Sequence, residues 1–313
     1  MGGNSISEAA PERPHTARVA VFGGTGFLGR RVVRAFGDLG VDVVAAARRP
    51  EAVDEGAIGG VAAADVTEPS SLPAALSGVD AVVNCVGCYV ESGARTFAAV
   101  HVEGAANLAR AARVAGVADF VQISGIGADS SSASPYVRAR GEGEAAVRDA
   151  FPGACILRPS VMFGPGGDTL AALAAFMRAS PAFPLFGDGS VRLQPVFVDD
   201  VARAAAAATD RPAARGQVYE LGGPDRLSYR QLAERVRRWA DASTALFPAP
   251  LGVWRAFATL AAVLPRPPVT EGMVTLMSAD NIASGAFPGL SDLGIAPTSM
   301  EAIAPEYLAG RSR

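Results

Sequence analysis

The sequence predicts an α/β fold, a doubly wound parallel sheet with a smaller C-terminal lobe, and three observations carry that reading. Short apolar runs alternate with segments of helical periodicity along the first half of the chain. The runs are continuously apolar, as strands covered on both faces are, and do not alternate with polar residues. A glycine-rich turn joins the first run to the first helical segment, as in a strand–crossover–strand unit.

In chain order, residues 1–17 mix Gly, Ser, Pro and both charge signs without periodicity and read as a disordered leader, lacking the basic-then-apolar layout of a signal peptide. Strands are expected at 18–22, 41–46, 81–85, 120–124 and 154–157, with a further strand ending before Ala64. Helices are expected at 29–39, 71–76, 100–115 and 136–150. Beyond Pro159 the rhythm loosens. A helix at 169–177, a strand at 196–198 and a helix at 201–209 capped by Asp199 or Asp200 are followed by a strand at 217–221 and helices at 229–240 and 299–308. This divides the chain into a nucleotide-binding domain over 18–230, with 165–195 contributing to the lobe, and a helical substrate or partner lobe over 231–313.

Composition narrows the function classes. Half the 313 residues are apolar and the net charge is −3, so no broad positive field exists to hold a phosphate backbone, and nucleic acid is not an expected partner. Three cysteines and two histidines make neither a disulfide framework nor a histidine-rich metal site, so no metal is expected and a reducing, cytoplasmic setting fits. The sequence contains no lysine; all 28 basic residues are arginine. Mechanisms that need a lysine are therefore excluded. Residues 242–264 carry only one charge, Arg255, but Pro248 and Pro250 interrupt them, so they do not form a spanning helix. They read either as a buried helix of the lobe or as a surface segment resting on a bilayer or a protein partner.

The strongest site signal is Gly23-Gly24-Thr25-Gly26-Phe27-Leu28-Gly29, between a strand and a helix that open a βαβ series. Gly23 allows the tight turn, Gly26 lets backbone approach a pyrophosphate, and Gly29 permits close helix–strand packing; the helix N-terminus faces the phosphates. This is the glycine pattern of a Rossmann-type dinucleotide site. At the end of the second strand, where an acid would bind the ribose 2′-hydroxyl, the chain has Arg48-Arg49. Guanidinium groups there favour NADP over NAD. Asp65, followed by Val66, is placed either to accept from the adenine amine or to form an ordinary turn. Tyr136 and Arg140 are four apart on one helix and share a face, and Ser124 ends the preceding strand.

Together the glycine turn, the strand-end serine and the Tyr-x-x-x-basic spacing resemble the short-chain dehydrogenase/reductase superfamily. Ile123-Ser124-Gly125-Ile126-Gly127-Ala128-Asp129, Leu157 to Pro165, Pro195 to Ala202 and Leu293 to Thr298 resemble an atypical branch of it, the complex I alpha subcomplex subunit nine-like NAD(P)-binding proteins. The resemblance implies Tyr136 as proton donor to a carbonyl, Ser124 as its orienting hydroxyl, and Arg140 in the place of a ribose-binding lysine. It also places Cys85, Val86 and Gly87 along the cofactor's ribose, Pro159 near the nicotinamide, and His101 where the superfamily often has asparagine. Arginine supplies charge and donors but never relays a proton. Two functions are accordingly expected: an NADP-dependent oxidoreductase of weak or specialised activity on an unidentified small molecule, or a non-catalytic, cofactor-bound assembly protein linked to a respiratory complex or quinone metabolism. Contact with the inner membrane surface follows from the second.

Overall fold

The structure is a computed structural model that describes residues 16–49, 51, 59–167, 169–261, 264 and 269–309. Residues 1–15 of the expected leader lie outside the described residues. Thr16 and Ala17 do not belong to such a leader: Thr16 is buried with its hydroxyl donating to the Thr209 carbonyl at 3.4 Å, and the Ala17 N–H donates to Asp80 Oδ2 at 2.9 Å.

The chain runs β1 (Arg18–Phe22), α1 (Phe27–Asp38), β2 (Asp42–Ala47), β3 (Gly60–Ala63), α2 (Leu72–Ala75), β4 (Ala81–Asn84), a π-helical turn (Ala98–Gly104) leading into α3 (Ala105–Val114), β5 (Asp119–Ile123), α4 (Pro135–Ala150) and β6 (Cys155–Pro159). It continues through β7 (Met162–Phe163), α5 (Thr169–Ala179), β8 (Ala182–Phe186), β9 (Arg192–Leu193), β10 (Val196–Phe197), α6 (Val198–Thr209), β11 (Val218–Leu221), β12 (Leu227–Ser228), α7 (Tyr229–Trp239), β13 (Ala245–Ala249), α8 (Leu251–Ala261), α9 (Glu271–Leu276) and α10 (Met300–Leu308).

Seven of these strands form one sheet in the order β11-β6-β5-β4-β1-β2-β3, every neighbouring pair parallel. Alternate residues serve opposite cores. Val19, Val21, Val83 and Leu157 face the layer of α1 and α6, while Ala20, Phe22, Val82 and Ile156 face the layer that holds α3. Each buried Val, Leu or Phe contributes about 1.5–3 kcal/mol, which is why the runs carry no polar alternation. Strand order reverses at β1 beside β4, and the crevice beyond their C-terminal ends is the place where such sheets bind ligands.

Three two-stranded ladders, β7 with β10, β8 with β13 and β9 with β12, tie together the chain beyond β6, and α5 packs against α7 and α10. Helix α6 begins at Val198 with Phe197 as its N-cap, so neither Asp199 nor Asp200 caps it. Asp200 is fully buried and accepts from the Thr298 N–H at 2.6 Å and hydroxyl at 2.9 Å, while Asp199 receives Arg31 Nε at 3.2 Å. Segment 242–264, of which 262 and 263 lie outside the described residues, forms a strand and then a helix. Of α8 only Ala258 and Ala261 are buried; Trp254 anchors it by donating to the Leu185 carbonyl at 3.0 Å and stacking on Phe186 at 4.3 Å. Val253, Phe257 and Leu260 are exposed, so α8 is not the buried helix of the first reading. Among the described residues no helix is long and apolar enough to cross a membrane.

Candidate functional site

The three glycines of the β1–α1 turn have three separate reasons to be glycine. Gly23 adopts φ +80°, and a Cβ there would meet the Cys85 carbonyl carbon at 3.1 Å. At Gly29 a Cβ would lie 2.0 Å from the Gly23 carbonyl oxygen, so only glycine lets α1 sit this close to the turn. Gly26 is different. Its backbone is extended (φ −76°, ψ 171°), and an added Cβ would touch only the Gly23 oxygen, at 3.2 Å. The fold scarcely requires glycine there; open space over the backbone is what a side chain would remove. Helix α1 also starts with no side-chain cap and no acid in its first turn, leaving the N–H groups that begin at Phe27, Leu28 and Gly29 for an anion. Thr25 lies in the same turn. These features fit a dinucleotide pyrophosphate.

Arg48 and Arg49 follow β2 directly, and both are exposed with no acidic partner among the described residues. Asp65 forms a turn: its Oδ1 accepts from the Thr67 N–H at 2.9 Å and hydroxyl at 2.8 Å. Val66 is buried, with its carbonyl held by Asn107 Nδ2 at 3.2 Å. Beyond β4, the Val86 N–H donates to Asn84 Oδ1 at 3.1 Å, fixing the Cys85–Gly87 segment beside the glycine turn. Burial pushes the Cys85 thiol up to about 12, so it stays protonated.

Tyr136 and Arg140 meet as their spacing requires. Arg140 Nε donates to Tyr136 Oη at 2.7 Å, and the guanidinium carbon lies 4.9 Å from the ring centroid. The rest of the enclosure is aromatic. Phe97 and His101 approach the Tyr136 ring edge-on at 5.4 and 5.6 Å, and Tyr89 stacks on it at 5.5 Å. Helix α4 can approach the π-helical turn this closely because Gly143 faces the His101 carbonyl, where a Cβ would lie 2.0 Å from the oxygen. Burial raises the Tyr136 phenol above its ordinary value, against the lowering effect of Arg140. His101 is buried and held down to about 4, first by desolvation and then by the Arg140 charge; its Nε2 lies 2.9 Å from the Cys88 carbonyl. Tyr89 and Phe97 escape sequence reasoning because nothing in their spacing ties them to Tyr136.

Ser124 does not join this group. Its hydroxyl donates to Glu144 Oε1 at 2.5 Å, and Glu144 also receives Arg158 through both carboxylate oxygens, at 2.9 and 2.6 Å. A buried carboxylate with a bidentate guanidinium is the stronger acceptor, and it claims the only proton Ser124 has to give. The Ser124 hydroxyl proton is thus directed at Glu144 and not at Tyr136. Pro159 ends β6 with its carbonyl accepting the Ile126 N–H at 3.1 Å, and the following Ser160 hydroxyl donates to Asn281 Oδ1 at 2.7 Å. Asn281 is a third residue that sequence reasoning misses, since it arrives from the C-terminal tail.

The NAD dependent epimerase/dehydratase family matches residues 19–222. The chain is 34% identical over 232 residues to the mitochondrial NADH dehydrogenase [ubiquinone] 1 alpha subcomplex subunit 9 of Arabidopsis thaliana, covering 70% of this chain and 58% of that protein. It is 32% identical over 298 residues to the same-named protein of Rattus norvegicus, covering 92% of this chain and 78% of that one. Among solved structures, a Thermus thermophilus UDP-glucose 4-epimerase in complex with NAD superposes with a TM-score of 0.69 at 20% identity, over 93% of this chain and 98% of that one.

Proposed function

From the premise that this chain belongs to the NAD dependent epimerase/dehydratase family, we propose that it is a nicotinamide-dependent reductase of a carbonyl-like small molecule, with NADPH as the preferred reductant. The Arg140–Tyr136 hydrogen bond of 2.7 Å carries this reading. When bound, the cofactor supplies a hydride; the chain's own residues supply the proton. Tyr136 is neutral at ordinary pH because burial holds its phenol up, so it acts as an acid and not as a base. As its proton leaves, negative charge develops on Oη, and the Arg140 N–H already points at that atom. The glycine turn and the start of α1 hold the pyrophosphate, and Arg48 or Arg49 takes the 2′-phosphate.

The test is NAD(P)H oxidation over a panel of short carbonyls and quinones with the unaltered chain, Tyr136→Phe and Arg140→Lys. Turnover that disappears in Tyr136→Phe, with nucleotide affinity kept, supports the reductase. A second reading, a cofactor-bound assembly protein, draws on the complex I subunit relatives and on the absence of Ser124 from the Tyr136 group. It requires that nucleotide binds while the panel shows no Tyr136-dependent rate.

A further inference from the structure

A reductase that gives up the Tyr136 proton in each cycle has to put it back, and the enclosure of Tyr136 restricts how. The phenol is 7% exposed. Of the groups packed on it, Phe97 has no exchangeable proton. Arg140 is a guanidinium and does not release one. His101 is buried, uncharged above about pH 4, and committed through Nε2 to the Cys88 backbone. Tyr89 remains. Its ring lies over Tyr136 at 5.5 Å with an interplanar angle of 29°, yet 64% of Tyr89 faces solvent. One phenol is dry and one is wet, and they are in contact.

We propose that Tyr89 is a proton relay that acts through Tyr136, returning protons from solvent to the Tyr136 oxygen and replacing the path that an arginine at position 140 cannot provide. The inference rests on the reductase reading. A bound reduced nicotinamide would supply the hydride for the carbonyl carbon, while the Tyr136 O–H bond breaks and its proton goes to the carbonyl oxygen. The Tyr89 O–H bond then breaks as its proton moves to the Tyr136 oxygen, and solvent reprotonates Tyr89. The net reaction consumes one carbonyl, one reduced nicotinamide and one solvent proton. Burial raises the Tyr136 phenol, so once deprotonated its oxygen is a strong acceptor for the returning proton. The stacked rings hold the two phenols side by side, one buried and one exposed.

Tyr89→Phe keeps the ring cover and removes only the hydroxyl, at an exposed position where folding is not at stake. In steady state it is expected to lower kcat by roughly 10- to 100-fold with KM little changed. The solvent deuterium isotope effect should grow, and imidazole buffer should restore the rate in a concentration-dependent way, neither of which follows from a packing role. An unchanged kcat, as when a nucleotide ribose carries the proton, overturns the relay; so does a loss that buffer does not rescue.

A second measurement needs neither cofactor nor turnover. Ultraviolet titration of phenol ionisation in Tyr89→Phe, Tyr136→Phe and the double variant gives non-additive differences if the two hydroxyls share a proton, and additive differences overturn the link. Absence of turnover in the unaltered chain defeats the reductase reading, and the relay with it, even where the titration still shows two coupled phenols.

Discussion

His101 is a base kept uncharged by its surroundings, and that makes it a pH-dependent weak point. Its value in the folded chain, about 4, lies below the ordinary 6.5 because burial and the Arg140 charge both disfavour imidazolium. The unfolded chain therefore binds more protons between these values. Stability from this residue is complete above pH 6.5 and drains as pH falls towards 4, by up to about 3 kcal/mol. Urea midpoints at pH 7 and 4.5 should show a smaller acid loss in His101→Asn than in the unaltered chain; equal losses would show that other groups govern the acid limb. At the same scale, Arg48 and Arg49 make a specificity claim. Replacing both by Ala should weaken NADPH by about 1.5–3 kcal/mol per lost charged hydrogen bond and leave NADH nearly unchanged, as read by calorimetry. Equal losses for both nucleotides would remove the preference.

At the start of α1, two glycines three residues apart answer to different demands, and substitutions separate them. Gly29→Ala places a Cβ 2.0 Å from backbone that cannot retreat, so it should destabilise the apo protein by about 1–3 kcal/mol. Gly26→Val should leave the apo protein folded, because its Cβ meets only one atom at 3.2 Å, while abolishing nucleotide binding. Thermal melts with and without nucleotide separate the two; a Gly26→Val protein that is still stabilised by NADPH would refute the site. Elements of this kind are legible in sequence because their signals are local. The glycine spacing, the apolar runs of β1, β2 and β4, and the four-residue step from Tyr136 to Arg140 all lie within one or two turns of chain. The ladders of the lobe are not legible. In β8 and β13, Pro184 pairs with Phe247 and Pro248 with Leu185, and prolines read as strand breakers unless a two-stranded ribbon leaves their missing N–H on its unpaired side.

Across the whole molecule, the tail after α9 returns to fasten the loops above the sheet. Asn281 accepts from the Ser160 hydroxyl and the Val161 N–H, its N–H donates to the Arg192 carbonyl at 2.8 Å, and its own carbonyl receives the Gln194 N–H at 3.0 Å. Nearby, Ser284 donates through its N–H and its hydroxyl to Glu220, at 2.6 and 2.8 Å, while Glu220 and Glu144 flank Arg158. Asn281→Ala removes the acceptor for two donors at once and should cost about 1–3 kcal/mol, with earlier proteolytic cutting near residues 160–167. A melting temperature and cutting pattern like those of the unaltered chain would show that the tail is not a fastener. The sequence by itself determined the sheet class, the glycine turn and the pairing of Tyr136 with Arg140, since periodicity and helical spacing act over a few residues. Only the tertiary structure decided that Ser124 serves Glu144, 20 residues on, that Tyr89 and Phe97 close over Tyr136, and that Ser160 meets Asn281 across 121 residues. Those partners are chosen by which polar groups remain unsatisfied when distant elements pack, a competition that no local pattern records.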